Sequence, residues 1–279
     1  IGRHDDRAGV MTERFETLTV EMRGRVALVT LRRADQLNAM NRRMQAEITA
    51  AFEMLSDDGE VGCVVVTGEG RGFMAGADIK EYAAQSGPEF DDFQARGARM
   101  YAAVENCSKP VVAAVNGFAL GGGFELVLVC DMVIASPFAR FGLPEIKLGL
   151  VPGGGGTQLS VAKLGRNRAN FMLMTGAILP ASEFVASGLV QEVVEADALL
   201  PRALDLAETI AAEPAEAIEG LKRLTAFALS GPLALGLEQE RELVCALYRS
   251  ETGQARVRAF AEKSAARAAE KAAERAARS

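Results

Sequence analysis

Histidine is almost missing from this chain of 279 residues. The single one, His4, lies in a polar opening segment, Ile1 to Val10, that reads as a flexible tail. The folded part therefore offers no imidazole for a Ser–His or Cys–His mechanism. Acid–base chemistry has to come from carboxylates, lysine, tyrosine or backbone dipoles. Paired cysteines are missing too. Cys63, Cys107, Cys130 and Cys245 are scattered without zinc-type spacing, and three fall in apolar runs where a buried thiol is expected. This excludes a sequence-evident metal site and suggests a reducing, cytoplasmic compartment. No run has the length and polarity of a membrane span, and no basic-then-apolar leader opens the chain, so no membrane partner is expected. Positive charge is not in excess. The 31 Lys and Arg stand against 37 Asp and Glu, for a net charge of −6, which argues against a nucleic-acid partner. Neither the G-x-x-x-x-G-K-S/T nor the G-x-G-x-x-G spacing of phosphate loops occurs.

What remains is an ordinary globular composition, 49% apolar and 24% charged, of a length for one large domain or a core with an appendage. Its centre is the stretch Asn116 to Leu126. The apolar run Val111–Val115 reads as a buried strand, and Leu126 to Val129 with Met132 as the apolar helix that follows. Gly121, Gly122 and Gly123 strip the side chains from the junction, so backbone N–H groups can approach a ligand atom. The first N–H groups of a helix are unpaired and partly positive, which suits a developing oxyanion. Glu125 stands one turn after Gly122, and helical side chains lean back toward the N-terminus, within reach of the same atom. The plainer alternatives are glycines that only permit close packing and a glutamate that only complements the helix dipole.

Elsewhere, Val26–Leu31 reads as a strand, with Leu18 and Val20 in an earlier one across Gly24. Met44, Ile48, Ala51, Phe52 and Leu55 recur at helical spacing over 41–56, and Val61–Thr67 is a β-branched strand. A glycine-rich turn at 68–72 leads to Phe73 through Lys80, where Ala75, Gly76 and Ala77 again expose backbone. The Ala77 N–H is a second candidate oxyanion donor, or part of a tight turn. Phe90, Phe93, Met100, Tyr101 and Val104 mark a helix with Gly97 inside it. Cys130–Ala135 reads as a strand. Glu145 stands beyond the corner that Pro144 imposes. The run Gly153–Gly156 reads as a place where backbones pass closely and the next helix begins. From Ala181 the pattern is helical, punctuated by Pro180, Pro214 and Gly231-Pro232. The closing stretch, rich in Ala, Arg, Lys and Glu, reads as a solvated helix or tail.

In order and spacing, Ala75-Gly76-Ala77-Asp78-Ile79-Lys80, Lys109-Pro110-Val111, Asn116-Gly117, Gly121 to Leu126, Pro144-Glu145, Pro152 and Gly155 to Gln158 resemble the enoyl-CoA hydratase/isomerase (crotonase) superfamily from about Phe15 to Lys263. The resemblance implies an α/β fold, a spiral of repeated β-β-α units with a helical C-terminal oligomerisation region. It divides the chain into a tail at 1–12, the spiral core at 13–200, the helical region at 201–263 and an Ala/charged tail at 264–279. It implies acyl-CoA thioester substrates, no separate cofactor, and a homo-trimer or hexamer. Ala77 and Gly122 would supply the oxyanion N–H groups, and Glu125 and Glu145 the two catalytic glutamates of a hydratase. Ala75, Asp78, Ile79, Lys80 and Gly121 would line the coenzyme A and thioester channel, and Phe260 and Lys263 would approach coenzyme A from a neighbouring subunit. A hydro-lyase adding water to a 2-enoyl-CoA is the leading expectation. A Δ3,Δ2-isomerase, a specialised dehydratase, and a non-catalytic scaffold or RNA-binding relative are the rivals. Phe124, Met74, Gly154 and Leu159 depart from the family's usual residues, and the first two put the shape of the acyl pocket in question.

Overall fold

The computed structural model describes residues 15–277, so His4 and the expected tail at 1–12 lie outside the described residues. The chain divides into two compact units between Glu213 and Pro214. In the first, β1 (Leu18–Arg23) and β2 (Val26–Leu31) form an antiparallel hairpin across Gly24. α1 (Arg42–Asp57) follows; the Asn41 side chain accepts the Met44 N–H at 2.9 Å and caps it, and Met44, Ile48, Ala51, Phe52 and Leu55 are buried, as their spacing requires.

Three turns of the chain then repeat one plan. β3 (Cys63–Gly68) and β4 (Gly72–Met74) lead to α2 (Ile79–Ala83) and α3 (Gly87–Glu105). β5 (Val111–Val115) and β6 (Phe118–Leu120) lead to α4 (Gly122–Val129). β7 (Met132–Ala135) and β8 (Arg140–Gly142) lead to α5 (Gly156–Leu164) and α6 (Arg166–Thr175). β9 (Ile178–Pro180), β10 (Glu192–Val193) and α7 (Leu199–Ala211) complete the unit. In each turn the first strand joins a six-stranded sheet of order β1-β2-β3-β5-β7-β10, and the second joins a four-stranded sheet of order β4-β6-β8-β9. This is the expected spiral of β-β-α units.

β3 and β5 are buried at every position, which a parallel sheet covered on both faces requires. The two-residue period sorts their side chains. Val64, Val66, Val111, Ala113 and Val115 enter the main core with Phe52 and Phe124. Val65, Val112 and Ala114 meet Leu199, Ala203, Ala207 and Ala211 of α7 on the other face. Alanine at every fourth position lets α7 lie close: a Cβ on Gly62 would stand 2.7 Å from that of Ala211.

The structure departs from the sequence reading at three places. α4 does not follow β5 directly, because Asn116-Gly117 first turns the chain into the short β6 of the other sheet. A Cβ on Gly117 would lie 1.9 Å from the Arg71 carbonyl oxygen, so only glycine fits that turn. α6 was not anticipated, since it buries only Ala169 and Met172 and carries no apolar stripe. The segment after Ala181 holds a single 3-10 turn, Ala181–Phe184, and a strand before α7 begins. The second unit consists of α8 (Ala215–Phe227), α9 (Leu233–Arg249) and α10 (Glu251–Ala277), the last running helically through the stretch read as a solvated helix or tail. A Cβ on Gly220 would meet the Leu243 side chain at 2.4 Å, which marks the close crossing of α8 and α9. Among the described residues no helix is long and apolar enough to cross a membrane.

Candidate active site

β4 and β6 are parallel neighbours, with Met74 opposite Ala119, so their C-terminal ends release residues 75–77 and 121–122 side by side. A Cβ on Gly123 would fall 1.8 Å from the Met74 carbonyl oxygen, and one on Gly76 3.3 Å from that of Leu120. The absence of side chains is what lets these two backbones touch. Met40 bridges to Ala77: the Met40 N–H donates to Gly76 O at 2.7 Å, and the Asp78 N–H to Met40 O at 2.8 Å. Those bonds use the groups flanking Ala77, so its own N–H points away from Met40. Gly122 opens α4, where the first N–H groups have no helical partner. Among the described residues neither N–H has a protein acceptor.

Glu125, one turn into α4, is buried. Its Oε1 accepts the N–H of Gly154 at 2.7 Å and of Gly156 at 2.9 Å. The Tyr101 hydroxyl, 3.0 Å from Gly122 O, also faces this carboxylate, and its one proton serves one acceptor at a time. Burial pushes the Glu125 pKa up, while the N–H groups of Gly156 and Gly154 and the Tyr101 hydroxyl pull it back. Burial also raises the Tyr101 pKa well above the ordinary phenol value, helped by the charges of both glutamates.

Glu145 reaches the same space from the 3-10 turn Pro144–Leu148. Its Oε1 would lie 2.8 Å from a Cβ on Gly121, and its Oε2 is buried without a hydrogen-bond partner among the described residues. Burial raises its pKa to about 7; its backbone N–H opposes this, and the Glu125 charge adds to it. The two carboxyl groups thus share a site but not an environment.

The cavity holding both has a volume of about 270 Å³. Of the residues singled out from sequence, Ala75, Ala77, Ile79, Gly121, Gly122, Glu125 and Glu145 line it. Asp78 and Lys80 stand outside the lining. The Asp78 carboxylate pairs with Arg33 at 2.8 Å and caps α2 by accepting the Lys80 N–H at 3.2 Å. The Arg33 guanidinium holds the Asp78 carboxyl below the usual carboxylate range. Phe260 and Lys263 lie on α10 in the second unit, both exposed. Phe124 and Met74 stand outside the lining: both are fully buried, and the Phe124 ring stacks on Phe141 with centroids 5.1 Å apart. Gly154 has a steric reason, because a Cβ there would come within 2.0 Å of the Tyr101 ring. Sequence reasoning placed Tyr101 on a helix but did not foresee its hydroxyl at the site, nor that Gly154 and Gly156 donate to Glu125. Among the described residues no cluster of three or more His, Cys, Asp or Glu is placed to hold a metal ion.

Residues 21–271 match the family model described as enoyl-CoA hydratase/isomerase, and the chain belongs to that family. Within it, the chain is 42% identical over 250 residues to a probable enoyl-CoA hydratase of Rhizobium meliloti (strain 1021), covering 89% of this chain and 96% of that one. It is 36% identical to a short-chain-enoyl-CoA hydratase of Clostridium acetobutylicum, with the same two coverages of 89% and 96%. A crystal structure of an enoyl-CoA hydratase from Bacillus anthracis superposes with a TM-score of 0.86 at 31% identity, covering 89% of this chain and 97% of that one.

Proposed function

We propose that this protein is an enoyl-CoA hydratase that adds water across the 2,3 double bond of a 2-enoyl-CoA to give a 3-hydroxyacyl-CoA. The observation that carries the reading is one cavity presenting two carboxyl groups of unlike environment beside two N–H groups with no protein acceptor among the described residues. The thioester oxygen sits between the Ala77 and Gly122 N–H groups, which stabilise the enolate-like charge that builds there. Losing one such donor typically raises the barrier by ~3–4 kcal/mol. Withdrawal of charge onto that oxygen makes Cβ electrophilic. Glu125, ionised and steadied by its donors, takes a proton from a water as the water oxygen bonds to Cβ. Glu145, with a pKa of about 7, delivers its proton to Cα on the same face. One proton leaves water and one reaches carbon, so the pair keeps its net charge throughout, and a proton passing from Glu125 to Glu145 restores the starting arrangement. The pair titrates as a unit, so the roles belong to the two carboxyls together.

An isomerase would shuttle one proton between two carbons without water; the second carboxyl favours hydration. The net charge of −6 disfavours an RNA-binding role. Leu233 and Phe260, 78% and 74% exposed, leave large apolar side chains on the surface of the second unit, which packing in a homo-trimer or hexamer would cover. Loss of the conjugated enoyl-thioester absorbance with crotonyl-CoA tests the reaction, and product analysis from a 3-enoyl-CoA separates hydratase from isomerase. A purified protein that leaves crotonyl-CoA unchanged at high enzyme concentration would refute the hydratase reading.

A further inference from the structure

We infer that Asn38, a residue outside the cavity lining, is a positioning residue for the oxyanion site: it locks the loop 33–40 in the shape that aims the Ala77 N–H and spaces it from Gly122. This rests on the hydratase reading and extends it to a residue that neither touches substrate nor lines the cavity.

The loop is strained and over-determined. Leu37 and Asn38 have φ of +50° and +56°, the left-handed region that non-glycine residues seldom occupy and that asparagine tolerates best. Such a conformation persists only where its surroundings impose it. Here the fully buried Asn38 side chain does so. Its Oδ1 accepts the Arg33 N–H at 2.7 Å, and its Nδ2 donates to Glu69 O at 3.0 Å and Gly72 O at 2.7 Å. One amide thus ties both ends of the glycine turn before β4 to the start of the loop. The backbone on either side then pairs with the segment leaving β4. The Ala75 N–H donates to Leu37 O at 3.1 Å, and Met40 brackets Ala77 through the two bonds described above. Gly72 leaves the room, since a Cβ there would stand 2.9 Å from Leu37 O.

Met40 carries the effect across the site. Its backbone holds Ala77. Its Cε would lie 3.1 Å from a Cβ on Gly122, and its Sδ is 4.0 Å from the Tyr101 hydroxyl. One residue therefore brackets Ala77 with its backbone and approaches Gly122 with its side chain, and its place is set by the turn that Asn38 closes. Arg33 adds a second tie, donating to Ala39 O and pairing with Asp78.

The test uses Asn38→Gly, which keeps the left-handed backbone accessible and removes all three side-chain bonds, and Asn38→Asp, which keeps the shape and the acceptor but not the two donors. Should either variant fold poorly, both readouts are taken below its melting midpoint, where the folded form dominates. Two readouts are taken on folded protein: kcat and KM with crotonyl-CoA, and the infrared stretch of the thioester carbonyl in bound butanoyl-CoA labelled with 13C at that carbon, which cannot be hydrated. Wild-type protein should lower the carbonyl frequency. Each variant should lose part of that shift, and kcat should fall roughly 10- to 100-fold with KM changed less than about threefold, as a donor misplaced by about 1 Å implies. Variants that melt earlier but keep the full carbonyl shift and wild-type kcat would overturn the inference and leave Asn38 a purely structural residue. A wild-type spectrum without the shift would instead refute the oxyanion reading itself, and the inference with it.

Discussion

Glu125 and Glu145 face one cavity from opposite kinds of support. Glu125 grows from the first turn of a buried helix and is met by two N–H groups and a phenol hydroxyl. Glu145 hangs from a short 3-10 turn behind a proline, with one oxygen bare. Burial alone would raise both; what separates them is the number of donors on the charged form. On the proposed mechanism, the fold makes a base and an acid from the same side chain by deciding where its backbone amides point.

The comparison breaks most severely if either carboxyl is removed. Glu125→Gln and Glu145→Gln should each lower kcat for crotonyl-CoA by about 10³-fold, within the usual range for a positioned acid or base, while isothermal titration shows acyl-CoA binding largely intact. A variant that hydrates at near-normal rate removes that residue from the mechanism. Next, Gly154→Ala forces a Cβ to within 2.0 Å of the Tyr101 ring and disturbs the Glu125 side alone. Urea unfolding should show a loss of about 2 kcal/mol, in the range of overpacked sites, together with reduced turnover. Tyr101→Phe sharpens the contrast more gently. It removes one of the groups that lower the Glu125 pKa, so the acid limb of kcat/KM should move to higher pH and turnover should fall about tenfold, the scale of one hydrogen bond to a charged group.

The smallest effect is on stability. The folded-state pKa of Glu145 is raised from 4.5 to about 7, so between those values the native state binds more protons than the unfolded one. Its contribution is then fully present below pH 4.5 and is lost as pH rises through about 7. Glu145→Gln cannot titrate, so relative to wild type it should gain stability from pH 4 to pH 8, by about 1 kcal/mol once screening at a partly open site is allowed for. Urea midpoints across that range would detect it; a constant difference would mean an unperturbed carboxyl.

How much of this was legible depended on whether the signal was periodic or steric. Val111–Val115 was readable end for end because a strand buried on both faces must be apolar throughout. α1 was readable from its 3.6-residue period. β6, β9 and β10, of two or three residues each, are too short to carry a period, and α6 buries too little to show one. At the site, Gly121–Gly123 and Glu125 could be read from local chemistry, because donor and carboxylate share one helical turn. Glu145 could not. A lone glutamate after a proline has no local signature, and it entered only through resemblance. The 153–156 glycines were read as clearance, and clearance is part of their use beside Tyr101; that two of their N–H groups serve Glu125, 29 and 31 residues away, is a tertiary fact no spacing announces. Asn38 escaped notice for the same reason, since its partners lie in other segments.

The division of labour is tested most directly by titrating glutamates labelled with 13C at the side-chain carboxyl, followed by NMR in wild-type protein and in Glu145→Gln. One carboxyl should titrate near pH 7 in the wild type, and that step should vanish in the variant. If every glutamate in the wild type instead titrates below about pH 5, the ordinary range for a solvated carboxyl, Glu145 holds no proton to give at neutral pH and the assignment of acid and base fails.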